Sequence, residues 1–136
     1  MRQYIFFCGT LLTTQVPEEV AAIVKRLRRV GPAQVRGRLY DFGAFPGGVI
    51  DPFARTVIHG RLFLLPRDRR VLEALDRYEE LDLSDLKRSL FVRQKAKFRL
   101  ANGSSREGWI YVYNRRPVRA SRIPGGDYVR LRNSRR

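Results

Sequence analysis

The stretch Gln3-Tyr4-Ile5-Phe6-Phe7-Cys8-Gly9-Thr10-Leu11-Leu12 lies near the N-terminus, and the order of its residues predicts a buried strand followed by a loop. Tyr4 to Phe7 is a run of β-branched and aromatic residues that is too short for a stable helix. The small residues that follow predict a sharp turn, because Gly9 can adopt backbone angles closed to other residues. Such a loop can present backbone N–H groups to an anion, but an ordinary turn after a first strand explains the same residues.

The composition predicts one folded domain over residues 1–136. Hydrophobic residues make up 43% of the chain and aromatic residues 11%, which is enough for a core without disulfides. Cys8 is the only cysteine, so no intrachain disulfide can form, and a reducing, cytoplasmic location is expected. No signal peptide is visible, and no apolar run reaches the roughly 18 residues of a membrane span. With one cysteine and one histidine, His59, neither a metal site nor a cofactor is expected.

The net positive charge of the chain favours a binding function, which is a different class of function from catalysis. Lysine and arginine number 28 against 13 acidic residues, which gives a net charge of +15. Such a surface attracts nucleic acid or anionic membranes without a specific site. No recognition helix or aromatic–basic motif accompanies the charge, so nucleic-acid binding is expected to be non-specific and sensitive to salt. A basic binding module is therefore the alternative to an enzyme.

The rest of the chain predicts the order β-α-β-β-α-β-β, which defines an α+β domain. After the first strand, a helix is predicted from Pro17 to the Gly31-Pro32 break, followed by strands at Val35–Phe42 and Thr56–Leu65. A second helix is predicted from Pro66 to about Leu81. The last two strands, Leu90–Leu100 and Glu107–Tyr113, are predicted to form a hairpin around Asn102-Gly103. Between the two middle strands, the glycine- and proline-rich loop Gly43–Asp51 either lines a pocket or is a plain surface excursion. The arginine-rich C-terminus is expected to fray.

The second predicted helix contains an acidic residue that needs an explanation. With about 100° per residue, Glu79 points with the apolar stripe of the helix and Glu80 points to water. A carboxylate on a buried face lowers stability unless it is paired or hydrogen-bonded. Two interpretations fit Glu79: a structural pair with an inward arginine such as Arg93, or a general base with a raised pKa beside a pocket.

Two rows of side chains lie on the predicted hairpin. The first row is basic and shares one face of its strand: Arg93, Lys95, Lys97 and Arg99. A solvated face explains this row most simply, and an RNA-binding stripe is the alternative. The second row is aromatic: Trp109, Tyr111 and Tyr113. Core packing is expected for these rings, although the hydroxyl of Tyr113, at the end of its strand, could reach a ligand.

Several stretches in the same order resemble the gamma-glutamylcyclotransferase-like family, of the gamma-glutamylamine cyclotransferase type. They are Phe6-Phe7-Cys8-Gly9-Thr10-Leu11, Leu39-Tyr40-Asp41-Phe42-Gly43-Ala44-Phe45-Pro46, Leu75-Asp76-Arg77-Tyr78-Glu79, Phe91-Val92-Arg93, Trp109-Ile110-Tyr111-Val112-Tyr113 and Pro124-Gly125-Gly126-Asp127-Tyr128. No single stretch is specific, but the ordered set extends from about Tyr4 to Arg132. The resemblance implies a small, mixed, barrel-like sheet with a pocket at one end.

The resemblance also implies a reaction and its residues. The α-amine of a gamma-glutamyl amide attacks the δ-carbonyl, which closes 5-oxoproline and releases an amine. Glu79 is implied as the general acid/base, without a cofactor or metal. The implied binding loop is Cys8, Gly9, Thr10 and Leu11, and Arg93 and Tyr113 complete the predicted substrate contacts.

The sequence departs from the family pattern at two positions. Cys8 replaces a tyrosine of the binding loop, and Glu80 replaces a glycine, so the substrate can differ from that of other members. The released amine is left open, since a lysine side-chain amide, an amino acid, glutathione and an antibiotic intermediate all fit. A thiol hydrolase built from Cys8 and His59 is a further alternative, but no third orienting group is visible for it.

Overall fold

A computed structural model of the protein describes residues 2–9, 18–43, 45–79, 89–116 and 120–134, with only the backbone for residues 19 and 132–134. Within these ranges the elements are β1 (Tyr4–Phe7), α1 (Glu18–Val24), β2 (Arg28–Asp41), β3 (Pro46–Ile50), β4 (Val57–Leu64), α2 (Arg69–Tyr78), β5 (Phe91–Leu100), β6 (Ser105–Tyr113), β7 (Ser121–Arg122) and α3 (Tyr128–Ser134). No helix in the described ranges has both the length and the apolar character needed to cross a membrane.

Five strands form a mixed barrel in the order β2, β4, β1, β6 and β5, and a short pairing between β5 and β2 closes it. β1 runs parallel to β6 and antiparallel to β4. The closing pairs are Ala33–Leu100 and Gln34–Arg99, in antiparallel register. β3 and β7 extend the sheet from the far end of β2. The predicted α+β class with a small, mixed, barrel-like sheet is therefore confirmed.

β1 lies at the centre of the core and is buried on both faces. Phe6 belongs to the cluster that fills the barrel, where its ring stacks on Phe98 at a centroid distance of 4.7 Å. Ile5 and Phe7 belong to a second cluster, which includes residues of α1 and α2. Successive side chains of a strand point to opposite faces, so a strand covered on both sides needs the continuous apolar run that the sequence contains.

β2 begins earlier than the sequence predicts. The predicted first helix extends to the Gly31-Pro32 break, whereas α1 ends at Val24 and β2 already begins at Arg28. β2 pairs with β4 along most of this length, and the register shifts between Arg29 and Gly31. A bulge of this kind accommodates residues that usually interrupt a strand, and the φ angle of Gly31 is 148°.

The predicted glycine-rich loop Gly43–Asp51 contains a strand, β3, which pairs with β2 from Gly37 to Asp41. Its glycines are required by close packing and not by a turn. A Cβ at Gly47 would lie 2.5 Å from the ring of Phe42, and one at Gly48 would lie 3.2 Å from Ile58. Pro46 occupies the first position of the strand, where a missing N–H is tolerated.

The predicted hairpin is confirmed, and its turn explains its register. β5 and β6 pair from Phe91–Tyr113 to Arg99–Ser105. The backbone N–H and the hydroxyl of Ser104 donate to Asn102 Oδ1 at 2.9 and 2.6 Å. Gly103 follows with a φ of 88°, a left-handed angle that favours glycine.

β7 and α3 lie in the C-terminal region, up to Ser134, and the final residues, 135 and 136, for which fraying is predicted, lie outside the described residues. Tyr128 is 1% exposed and packs with the barrel cluster. Gly126 has a φ of 63°, and its carbonyl accepts the backbone N–H of His59 at 2.7 Å. These contacts dock α3 on β4, whereas the His59 side chain itself is exposed.

Candidate active site

A cavity of about 240 Å³ lies where β1 and α2 end and β5 begins. Its wall is mostly aromatic and aliphatic, with contributions from β1, β3, β6 and the ends of α2 and β5. The described residues of the wall are Phe6, Phe7, Cys8, Gly9, Phe45, Pro46, Gly48, Tyr78, Glu79, Leu90, Phe91, Ile110 and Tyr111. Among them Glu79 is the one residue with a charged side chain. We call this site the acidic cavity.

α2 brings Glu79 to the acidic cavity. The helix begins after Asp68, whose carboxylate accepts the backbone N–H of Arg70 at 3.0 Å, and it ends at Tyr78. Glu79 is the C-cap residue, and its backbone N–H still donates to the carbonyl of Leu75 at 3.0 Å. Leu75 itself is fully buried. Glu79 therefore lies in the cavity wall on a turn that the core holds in place, and Glu80 lies outside the described residues.

The turn after β1 supplies the predicted binding loop. Cys8 and Gly9 are part of the cavity wall, while Thr10 and Leu11 lie outside the described residues. A Cβ at Gly9 would lie 2.8 Å from Cγ of Pro46. Glycine is therefore required here because the loop and β3 approach each other closely.

Glu79 influences the pKa of Cys8, which lies in the same cavity wall. Burial raises the pKa of the Cys8 thiol to about 12, and the negative charge of Glu79 contributes to the increase. The thiol is consequently protonated at neutral pH, and a protonated thiol is a poor nucleophile. His59 is an exposed residue of β4 and is not part of the cavity wall, so the structure does not assemble a Cys8–His59 pair at this site.

A buried polar network supports one side of the cavity. The hydroxyl of Tyr111 donates to Asp76 Oδ1 at 2.6 Å. The guanidinium of Arg93 donates to both Asp76 oxygens, at 3.0 and 3.2 Å, and lies 4.2 Å from the ring centroid of Trp109. Burial, the hydrogen bond to Asp76 and the charges of Asp76 and Glu79 raise the pKa of Tyr111 well above its usual range. Tyr111 therefore remains a hydrogen-bond donor at neutral pH.

Two predicted substrate contacts do not lie in the cavity wall. The guanidinium of Arg93 instead forms the part-buried ion pair with Asp76 and lies over the ring of Trp109, so its contact with a substrate stays a prediction. Tyr113 lies next to the wall, where its ring stacks on Phe42 at 4.3 Å and meets Phe91 edge-on at 5.8 Å. The ring of Phe91, rather than that of Tyr113, belongs to the wall.

The sequence prediction did not include Asp76 and Tyr111 in the site. Tyr111 belongs to the alternating aromatic row of β6, and this pattern alone does not distinguish a residue that lines a cavity from one that packs in the core. The burial of Asp76 could have been predicted from the sequence, because this residue lies four residues after Leu72 and therefore beside the apolar stripe of α2. Its exposed fraction is 6%, so a partner such as Arg93 was required.

The described residues contain no group of three or more histidine, cysteine, aspartate or glutamate side chains suited to a metal ion. The polar groups of the described cavity wall are a carboxylate, a protonated thiol and two tyrosines, and the wall includes a glycine-containing turn. Such a set can bind a small molecule, accept a proton and return it. The cavity volume of about 240 Å³ is slightly below the roughly 300–1,000 Å³ of pockets for drug-sized ligands.

The structural class is defined by two features: a mixed five-stranded barrel, and a cavity beside the first strand that contains an acidic residue. The family model for gamma-glutamyl cyclotransferase, AIG2-like, matches residues 5–130. The chain belongs to this family. A search of curated protein sequences found no significant match.

Solved structures share the fold at low sequence identity. YkqA from Bacillus subtilis is 18% identical with a TM-score of 0.70; the match covers 98% of this chain but only 43% of YkqA. An AIG2-like protein from Mus musculus is 18% identical with a TM-score of 0.64, over 85% of this chain and 80% of its own. A gamma-glutamyl cyclotransferase is 12% identical with a TM-score of 0.61, over 83% of this chain and 67% of its own.

Proposed function

We propose that the protein is a gamma-glutamyl cyclotransferase in which Glu79 is the general acid/base. The observation that carries this proposal is the position of Glu79 as the charged residue of a small, largely apolar cavity, next to the turn at Cys8 and Gly9. Family membership supports a cyclotransferase in general. The assignment of Glu79 and of the substrate is our own.

The reaction needs one group that exchanges protons. The α-amine of the gamma-glutamyl group is protonated in neutral water and must lose a proton before it attacks. Glu79 accepts this proton, and a new bond forms between the amine nitrogen and the δ-carbon. The bond from the δ-carbon to the amide nitrogen then breaks, and Glu79 returns the proton to the leaving nitrogen. The ring nitrogen gives up a second proton, which passes to the released amine. The products are 5-oxoproline and a protonated amine, and no proton is gained or lost overall.

The acidic cavity contributes mainly by positioning. The attacking and attacked groups belong to the same substrate, so the glutamyl chain only has to be held in a curled conformation. The close approach of Gly9 and Pro46 narrows the cavity on one side, and the rings of Phe45 and Phe91 bound another part of it. Backbone N–H groups of the Cys8-Gly9 turn are the proposed donors to the substrate carboxylate or to the oxyanion formed on the δ-carbonyl.

The Tyr111–Asp76–Arg93 network keeps Tyr111 in place at the wall. Because Asp76 is buried and paired, its carboxylate is engaged by two donors and is not available as a base for the substrate. Glu79, which caps the same helix three residues later, is the carboxylate among the described residues of the cavity wall.

A product assay tests the proposal. Purified protein is incubated with gamma-glutamyl amides of lysine and other amines, gamma-glutamyl dipeptides and glutathione, and 5-oxoproline is measured by chromatography with mass detection. At least one compound is expected to give 5-oxoproline and an equal amount of amine. Activity is expected to fall at acidic pH as the Glu79 carboxylate is protonated. Folded protein that releases no 5-oxoproline from any of these compounds contradicts the proposal.

A further inference from the structure

A second cavity, of about 580 Å³, lies between β2, the end of β3 and β5. We call it the basic groove, because four of its lining residues carry positive charge: Arg36, Lys95, Lys97 and Arg99. None of its described lining residues is acidic. The groove shares no lining residue with the acidic cavity.

The groove exists because the barrel closes over a short distance. β5 pairs with β2 only at Ala33–Leu100 and Gln34–Arg99. Toward its N-terminal end, β5 continues to pair with β6, while β2 pairs with β3 from Gly37 onward. The two strands therefore separate, and the basic side chains of β5 lie along the gap.

The positive charge of the groove is largely uncompensated. Lys95 Nζ lies 3.9 Å from a carboxylate oxygen of Glu107, whose side chain is 72% exposed, and 4.8 Å from the ring centroid of Trp109. The guanidinium of Arg36 donates to the backbone carbonyl of Ala54 at 3.1 Å, which leaves its charge unneutralised. Within the described part of the chain, Lys97 and Arg99 form no ion pair, and both are exposed. A negatively charged ligand is the complementary occupant.

The spacing of these charges indicates the form of the ligand. Lys95, Lys97 and Arg99 are two residues apart on one strand, so neighbouring positions are separated by about 7 Å. This separation is comparable to that of successive phosphates in an extended single strand of nucleic acid. A row of charges along one strand thus matches a phosphate backbone that runs parallel to it.

An exposed aromatic residue directly follows a lining residue of the groove in the sequence. Phe53 is 92% exposed and follows Pro52, which lines the groove. The turn is fixed, because Asp51 Oδ1 accepts the backbone N–H of Phe53 at 2.9 Å and Asp51 Oδ2 accepts a bond from Arg38 at 2.8 Å. An aromatic face next to a row of cations is the combination that binds unpaired bases by stacking.

We propose that the basic groove binds a short segment of single-stranded nucleic acid, with its phosphates along Arg36, Lys95, Lys97 and Arg99 and one base stacked on Phe53. This binding is independent of the cyclotransferase proposal, because it uses none of the residues of the acidic cavity. It is expected to tolerate many sequences, since each of the four bases has a face that can stack.

Binding of a fluorescein-labelled oligodeoxythymidylate of twelve nucleotides, measured by fluorescence anisotropy, tests the cationic row. The double variant Lys97→Gln/Arg99→Gln is compared with Arg67→Gln/Arg77→Gln, which removes two exposed charges beside and within α2 and leaves the same net charge. The groove variant is expected to bind at least tenfold more weakly than wild type. Its slope of log K against log salt should be shallower by about 1.4. The control should change by less than threefold. Equal weakening of both variants overturns the proposed location.

Phe53→Ala tests the stacked base, and Phe53→Tyr is the conservative variant that keeps an aromatic face. Phe53→Ala should weaken oligonucleotide binding about five- to hundredfold, whereas Phe53→Tyr should bind like wild type. Binding of inorganic polyphosphate, which has no bases, should be the same for all three proteins. An equal loss for polyphosphate, or no loss for the oligonucleotide, overturns the proposed stacking. Because Phe53 is exposed, circular dichroism is expected to show unchanged folding.

Discussion

Cys8 and Glu79 line the same small cavity, and the charge of Glu79 contributes to the raised pKa of Cys8. The thiol is protonated at neutral pH because burial raises its pKa and because the Glu79 carboxylate disfavours a second negative charge nearby. Cys8 therefore contributes a compact, protonated side chain to the cavity wall.

The proximity of the two residues can be measured by chemical modification. Cys8 is the only cysteine, so alkylation by iodoacetamide reports on it alone. Alkylation of folded wild-type protein should be slow at pH 8, because only the thiolate reacts. Glu79→Gln removes a charge that raises the pKa of Cys8, so alkylation should become several-fold faster. Glu73→Gln, at an exposed position of α2, should react like wild type. A rate unchanged by Glu79→Gln contradicts the proposed proximity.

Tyr111 and Tyr113 lie on the same strand but differ in what their hydroxyls contact. The Tyr111 hydroxyl donates to a buried carboxylate, and hydrogen bonds to charged groups contribute about 1.5–3 kcal/mol. Tyr111→Phe should therefore lower the free energy of unfolding by about that amount in urea titrations. Tyr113→Phe should change it by less than about 0.5 kcal/mol, because its described contacts are made by the ring. Equal losses from the two variants would refute the distinction.

At the level of elements, α2 shows which parts of the structure a sequence determines locally. The apolar spacing and the acid at Asp68 predict a helix here, and the observed helix follows Asp68 as its N-cap. The side of α2 on which Asp76 lies could also have been predicted, from its spacing relative to the apolar residues of the helix. Its partner could not, because Arg93 comes from another element 17 residues later.

The pH dependence of stability tests the N-terminal end of α2. Hydrogen bonds from Arg70, from its side chain and its backbone, and one from Arg26 lower the pKa of Asp68 from 3.8 to about 2. A lowered pKa in the folded state stabilises the protein above pH 4, and this stabilisation disappears as the pH falls toward 2. Asp68→Asn keeps a good N-cap residue but removes the charge.

The melting temperature of Asp68→Asn should accordingly be lower than that of wild type at pH 6, and the difference should shrink steadily between pH 4 and pH 2. Arg77→Gln, which removes a charge from the other end of the same helix, serves as the control and should show no such trend. A difference between Asp68→Asn and wild type that stays constant down to pH 2 contradicts the assignment of the lowered pKa to Asp68.

The strands β2 and β3 show where prediction from sequence fails at this scale. Gly31-Pro32 and the glycines of β3 have local preferences against extended structure. Pairing with distant strands overrides those preferences: β4 holds the first part of β2, and β2 holds β3. The short α3 was missed for the same reason, because its docking depends on Tyr128 in the barrel cluster and on the bond between Gly126 and His59.

For the whole molecule, the first strand links the fold to the site. β1 pairs with β4 and β6, places Phe6 in the barrel and Ile5 and Phe7 against the helices, and then delivers Cys8 and Gly9 to the acidic cavity. The sequence predicted this strand and its loop because both depend on neighbouring residues. Strand order, the barrel closure and the basic groove depend on contacts between remote segments, and no local pattern encodes them.

The two cavities also differ in the charge of their lining residues. A net charge of +15 attracts anionic compounds in general, and the basic groove concentrates part of that charge along β5. The acidic cavity is instead lined by rings and a single described carboxylate. The proposed proton transfer and the proposed polyanion binding therefore use separate cavities.

The most direct test of the proposed function is the rate of 5-oxoproline formation by Glu79→Gln, measured with the best substrate of the wild-type protein and compared with Glu73→Gln. Glutamine keeps the shape of the side chain but cannot accept a proton. Glu79→Gln should therefore lose about 10²- to 10⁴-fold in turnover while remaining folded by circular dichroism, and Glu73→Gln should retain wild-type turnover. Full turnover by Glu79→Gln, or an equal loss in both variants, would contradict the assignment of Glu79 as the base.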